Sequence, residues 1–200
     1  MRSNVRHAFT AAVILSAVSA DIANAQRVAD VQGFHLGAAL NHTSIELDET
    51  GFTDDEREAG LGLNLYVGYN FTRNFGLTLG VTGASIDDDQ TDDFDVAHVD
   101  LAGRASFPGR SAFVPYLELS LAGMAAKFET NGQEVELTGG GIGAGLGFNY
   151  FFGSRAALDV SFRYTAGEFG DIEINGSNAS DVEEVGVNTT RLNIGLAFYP

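Results

Sequence analysis

From Leu61 to Phe71 every second residue is apolar or aromatic, and the residues between are Gly62, Asn64, Tyr66, Gly68 and Asn70. Side chains alternate across a strand, so a beat of two reads as a strand with one greasy face. The same beat returns in Phe34, Leu36, Ala38 and Leu40, in Phe75, Leu77, Leu79 and Val81, and in Ile142, Ala144, Leu146 and Phe148. It closes the chain with Leu192, Ile194, Leu196 and Phe198. After Gln32 no helical period of 3.6 competes with it. Eight strands are predicted, over 33–45, 60–71, 75–85, 96–107, 113–128, 135–151, 156–168 and 189–199. An even number of antiparallel strands can close on itself with both ends of the chain at one rim.

The predicted connections differ in length. Those at 72–74, 108–111 and 152–155 are tight and rich in Gly, Pro, Asn and Ser, the residues that turns demand. Those near 46–59, 86–95, 129–134 and 169–188 are longer and polar. The object is therefore polarised, with short turns at one end and long loops at the other.

Two closed barrels fit this periodicity with opposite faces inward. A soluble lipocalin-like barrel turns its aliphatic face toward a ligand, whereas a membrane barrel turns it outward into lipid. The other face decides between them: it carries Gly76, Thr78, Gly80 and Thr82 on one strand and Gly141, Gly143, Gly145 and Gly147 on another. An outer surface in water would carry Lys and Glu instead. Six long charged residues share that glycine-bearing face: Asp100, Arg104, Glu118, Asp159, Arg163 and Arg191. Eight strands enclose a space that side chains just fill, so the glycines are expected to make room for an arginine–carboxylate network, with Arg104 and Glu118 at similar depth. His35 and His98 fall on the same face as network members.

The greasy face has the height of a bilayer core, which roughly 9–11 tilted strand residues cross. Phe71, Phe75, Phe107, Phe113, Phe148, Tyr150 and Phe198 gather toward its short-turn end as an interfacial girdle. The fold predicted is an all-β, eight-stranded antiparallel up-and-down transmembrane β-barrel.

Composition narrows the picture further. Arg2, Arg6 and His7 precede a mostly apolar run ending near Ala20, followed by Ala23-Asn24-Ala25, the layout of a cleaved secretory signal. Residues 1–25 are read as signal peptide and 26–200 as the barrel domain. The full chain has 11 basic and 27 acidic residues; removing Arg2, Arg6 and Asp21 leaves 9 − 26 = −17. A chain this acidic would be repelled by a phosphate backbone, so no nucleic acid is expected as a partner. With no cysteine, disulfides and thiol chemistry are excluded.

The signal peptide, "YLELSLAGMAAKF", "GIGAGLGFNYFFGSRAALDVSFRYT" and the terminal "TRLNIGLAFYP" together resemble the OmpA/OmpX-like, opacity-type family of small outer-membrane β-barrels of Gram-negative bacteria. The resemblance covers residues 32–200. It implies residence in the outer membrane, contact with its lipid and lipopolysaccharide, and recognition by the barrel assembly machinery through a last strand that here supplies Asn193, Gly195 and Phe198. Pro200 departs from the terminal aromatic usual in the family. The role implied is structural or surface-interactive, with no catalysis.

Three patterns bear on chemistry. His42, Ser44 and Glu46 recur at alternate positions near the long-loop rim, the trio a lipid A deacylase of barrel form would need, but alternate Cβ atoms lie nearly 7 Å apart in an extended strand. The expectation there is a polar rim, and a lipid-modifying enzyme is the alternative. Asp87, Asp88, Asp89, Asp92, Asp93 and Asp95 offer hard oxygen ligands; a solvated acidic loop is expected, with weak divalent-cation binding as the alternative. No catalytic, cofactor-binding or metal residue is assigned, no cofactor is implied, and a paired-off lumen is expected not to conduct.

Overall fold

A computed structural model describes residues 31–48, 58–87, 94–130, 133–174, 177–178 and 185–200. The predicted signal peptide lies outside the described residues. The wall consists of β1 (Gly33–Asp48), β2 (Glu58–Asn70), β3 (Phe75–Asp87), β4 (Phe94–Ser106), β5 (Phe113–Thr130), β6 (Gln133–Phe151) and β7 (Ala156–Ile174). A two-residue β8 (Ser177–Asn178) pairs with the end of β7, and β9 (Val185–Phe198) completes the wall. Each wall strand is antiparallel to its neighbours, in the circular order β1-β2-β3-β4-β5-β6-β7-β9 and back to β1. Closure leaves no wall edge unpaired, which is what allows a sheet to stand in hydrocarbon.

Phe34, Leu36, Leu40, Leu61, Leu65, Leu79 and Leu119 point outward, with Leu61 and Leu119 both 73 % exposed. The alternate positions His35, Thr78, Asp100, Glu118, Arg163 and Arg191 are buried in the lumen. The inward-greasy, lipocalin-like arrangement is thereby ruled out. At the short-turn end the outward aromatics pack edge to face, Phe34 on Tyr69 at 4.9 Å and Tyr69 on Phe71 at 5.4 Å, the geometry ring quadrupoles favour.

Gly33 enters β1 with φ of 100°, a backbone state that favours glycine. The bend turns Val31 back under the barrel mouth, where Asn70 Nδ2 donates to its carbonyl at 2.5 Å.

The strands outrun their predicted spans mainly at the long-loop end: β7 reaches Ile174 instead of 168, and β9 begins at Val185 instead of 189. The predicted long connection at 129–134 is also replaced. Thr130 pairs with Gln133, leaving Asn131-Gly132 as the link, the pair preferred by two-residue hairpins.

The physical reason is an inversion of polarity along each strand. On β3 the outward series runs Phe75, Leu77, Leu79, Val81, Gly83, Ser85, while the inward series ends on Ala84 and Ile86. On β5 the outward Leu117, Leu119 and Leu121 give way to Gly123, Ala125 and Lys127, opposite an inward Ala122, Met124 and Ala126. A 19-residue strand such as β6 is about 60 Å long at ~3.4 Å per residue. At a tilt of about 40° it rises about 45 Å, well past the ~25 Å apolar band of such barrels. The upper third of the wall is thus a crown that stands in water, polar outside and apolar within.

Candidate functional site

The lumen is stacked in three tiers. Val31, Val114, Phe151, Ala157, Ala197 and Tyr199 form an apolar floor at the short-turn end. Tyr199 stacks on His35 at 5.4 Å and meets Phe151 at 5.2 Å. At the opposite end Ile45, Ile86, Val96, Met124, Phe169 and Val187 belong to a second apolar cluster inside the crown.

Between them lies the charged tier. Arg104 (β4) and Glu118 (β5) are register partners, and Arg104 Nε donates to Glu118 Oε1 at 2.8 Å. Arg163 (β7) reaches across with its fork, giving Nη2 to Glu118 Oε2 at 2.6 Å and Nη1 to Asp100 Oδ2 at 3.1 Å. Arg191 (β9) binds Asp100 bidentately at 2.5 and 2.9 Å and gives a third bond to Thr165 Oγ1 at 3.0 Å. Arginine's planar guanidinium suits this bridging, because one residue satisfies two carboxylates at fixed angles.

Asp159 departs from the expected pairing. Its carboxylate accepts from two tyrosines, Tyr66 at 2.5 Å and Tyr116 at 2.6 Å. Arg104 contributes through the rings instead, with its guanidinium carbon 4.0 Å from the Tyr116 centroid and 5.7 Å from that of Tyr66. The sequence signal for this clasp was present: Tyr66 and Tyr116 sit at lumen positions, where a phenol needs a polar partner.

Three of the glycines make room for rings, and several others let the backbone of the next strand approach closely. A Cβ on Gly37 would fall inside the Tyr66 ring, one on Gly68 inside the His35 ring, and one on Gly147 would come within 2.6 Å of Tyr116. Among the described glycines only Gly145 faces an arginine stem, Arg163 at 3.6 Å, an ordinary contact beside the nearer Phe162 carbonyl at 3.1 Å. The expectation that glycine clears space for arginine is corrected accordingly. Arginine stems are thin, whereas a phenol or imidazole lying across the lumen needs a bare wall opposite.

The remaining lumen groups pair locally. His35 meets Thr78 Oγ1 and His98 meets Thr189 Oγ1, each at 3.3 Å. Asn41 Nδ2 donates to Asn193 Oδ1 at 2.8 Å, and Asn193 Nδ2 donates to Ser161 Oγ at 3.1 Å. The central cavity measures about 10 Å³, about one water-sized sphere. The large concavities, of about 610 and 560 Å³, lie on the outer wall among lipid-facing side chains such as Leu119, Ile142 and Leu63.

His42, Ser44 and Glu46 do not assemble. His42 is exposed on the lipid-facing side, Glu46 is half-buried, and Ser44 is buried with an Oγ that makes no hydrogen bond. A nucleophile needs a base within hydrogen-bond reach, and among the described residues Ser44 Oγ has no hydrogen-bond partner. Of the acidic run, Asp88, Asp89, Asp92 and Asp93 lie outside the described residues, as does the side chain of Asp87; Asp95 is exposed and in register with Lys127. Among the described residues no group of three or more His, Asp or Glu side chains is placed to hold a metal.

The model of the outer membrane protein beta-barrel domain matches residues 10–199. The chain belongs to this family, and it is an outer-membrane protein of Gram-negative bacteria. The solved barrel of Neisserial surface protein A superposes with a TM-score of 0.66 at 19% identity, covering 84% of this chain and 98% of that one. The outer membrane protein OprG from Pseudomonas aeruginosa superposes at 0.58 with 18% identity, over 85% and 97%. AlkL, solved in lipid bilayers, reaches 0.53 at 13% identity, over 84% and 90%. At these identities the likeness is one of fold. No curated protein matches the chain. In such barrels the short turns face the periplasm and the longer loops face outward, which puts the crown on the cell surface.

Proposed function

We propose that this barrel is a non-conducting, non-catalytic surface protein whose work is done by the crown and its loops, held at a fixed height above the outer leaflet. The inversion of polarity carries this reading. Apolar packing inside the crown, around Ile86, Met124 and Phe169, spends sequence on rigidity beyond the membrane, where a pore would keep a wet vestibule. The outward side of the crown presents Asp95, Glu136, Glu168 and Asp171 against the one cation Lys127, which pairs with Glu136, so among the described residues the excess is acidic and a cationic surface is the partner chemistry it favours. Lipid and lipopolysaccharide surround the belt below, and the assembly machinery handles the chain during insertion. The outer membrane protein Ail of Yersinia pestis, an attachment invasion locus protein of similar fold, is a precedent for surface contact on such a scaffold.

Planar-bilayer recording on the purified protein tests the sealed lumen. Current indistinguishable from background is expected, and a stable open level would overturn the reading. His42→Ala and Ser44→Ala, expressed in a Gram-negative host, are expected to leave the acylation pattern of lipid A the same as with the unsubstituted protein. A change in that pattern dependent on either side chain would point to the lipid-modifying alternative.

A further inference from the structure

We propose that one water molecule is a resident component of the lumen, bound at the central cavity by Arg163 Nε, Arg104 Nη1 and Asn64 Oδ1. Arg163, Arg104 and Asn64 all line that cavity. Each is at least nine-tenths buried, at 7 %, 4 % and 5 % exposure. Each carries one polar atom without a protein partner, and these are the three atoms named. Their neighbouring atoms are engaged elsewhere: both Nη groups of Arg163 go to carboxylates, Arg104 Nε goes to Glu118, and Asn64 Nδ2 donates to Thr82 Oγ1 at 3.0 Å. Buried polar atoms of this kind are normally satisfied, and water supplies what the protein does not.

The chemistry of the cavity selects its occupant. Two N–H donors can point at one water oxygen, while a water hydrogen goes to the Asn64 carbonyl and the other faces the Asp159 and Thr78 side of the lining. A halide would satisfy the donors but not the amide oxygen. The local charge gives it no reason to enter, since Asp100, Glu118 and Asp159 already balance Arg104, Arg163 and Arg191. At about 10 Å³ the space suits one small neutral molecule. The apolar floor lies on one side of it and the crown core on the other.

Gly80 supplies the test. It lines the cavity, and a Cβ added there would make ordinary contacts, at 3.7 Å to Tyr66 Cβ and 3.8 Å to the Leu65 carbonyl. Gly80→Ala therefore adds a methyl group to the lining of a cavity with room for one water, without disturbing the wall. In isotope-labelled protein in lipid nanodiscs, a cross-relaxation peak is expected between the water frequency and the Arg163 Nε–H. It should vanish in Gly80→Ala, which still migrates as a compact unboiled species but unfolds at lower urea. A peak relayed from a nearby hydroxyl would survive that substitution and would count against the proposal. So would the absence of the peak in the unsubstituted protein, a shift of the Arg163 resonance on replacing sulfate by bromide, or a higher urea midpoint for Gly80→Ala, the signature of a dry void. Should Gly80→Ala fail to form the compact species, the unsubstituted protein's water peak and its bromide response decide alone.

Discussion

Removing one carboxylate from the charged tier should cost far more than removing an equally short ion pair from the crown. Glu118→Gln keeps the shape of the side chain but withdraws the anion from Arg104 at 2.8 Å and Arg163 at 2.6 Å. Three arginines, none more than 7 % exposed, then face two carboxylates. Breaking one partner out of a buried pair costs about 3–5 kcal/mol, because the remaining charge is left uncompensated. Glutamine still offers one carbonyl acceptor, so about 3 kcal/mol is expected, roughly a hundredfold in the folding equilibrium at 1.4 kcal/mol per decade. The comparison is Lys127→Gln, which breaks a pair with Glu136 at the same 2.8 Å but with side chains 50 % and 28 % exposed. Exposed pairs contribute about 0–1 kcal/mol. Urea titration of folding into detergent micelles measures both. Unboiled gel mobility or circular dichroism serves as readout, since the chain has no tryptophan. Equal losses in the two variants, or a loss under about 1 kcal/mol for Glu118→Gln, would refute the reasoning that burial rather than distance sets the value of these bonds.

Other substitutions follow from the same geometry. Gly147→Val places a branched side chain against the Tyr116 ring, where a Cβ already comes within 2.6 Å. Overpacking of this kind costs about 1–3 kcal/mol, and Tyr116→Leu in the same chain should recover part of it in a double-mutant cycle. Asp159→Asn weakens two charge-assisted bonds, at 2.5 and 2.6 Å; a loss of about 1–3 kcal/mol is expected, and Tyr66→Phe added to it should cost less than Tyr66→Phe alone. The crown is probed by a reversal test: Leu119→Lys, in the lipid belt, should cost about 2–4 kcal/mol. Ser85→Lys, outward in the crown, should stay within about 0.5 kcal/mol. Met124→Lys, inward at crown height, should destabilise strongly even though it lines a lumen whose middle is charged.

How far the sequence announces this structure depends on which signal is followed. The greasy beat marks the lipid belt faithfully: Leu61, Leu63, Leu65 and Val67 are all outward, and the tight turns around Asn74, Gly109 and Gly153 fall where strand spacing requires them. The charged tier is also legible, because six long charged side chains on a face otherwise rich in glycine have nowhere to go but the lumen. Within it, Arg104 and Glu118 meet as their spacing implies. What the beat cannot supply is which acceptor each donor chooses. Asp159 meets Tyr66 and Tyr116 because three strands bring them together across the lumen, over sequence separations of 93 and 43 residues.

The crown escapes notice for a different reason, and that reason bears on function. Alternation continues through Gly83, Ala84, Ser85 and Ile86, but the apolar member of each pair has changed sides. A reading that follows one greasy face loses it at Val81, ends the strand at Ser85 and gives no sign that an apolar core has begun on the other side. A half-buried strand in lipid and one in water share the period and differ only in phase relative to the core, so a strand that leaves the membrane must swap its faces without breaking step. The swap occurs over small residues, Gly83 on β3, Ala97 on β4 and Ala125 on β5, which are consecutive register partners across the wall. Small side chains tolerate either solvent, so on these three strands they mark where the outward face stops being apolar. Beyond it β3, β4 and β5 are built as the strands of a water-soluble barrel would be, with Ala84, Ile86, Val96, Met124 and Ala126 inside. A protein whose only task was to span the membrane would have no need of that upper core.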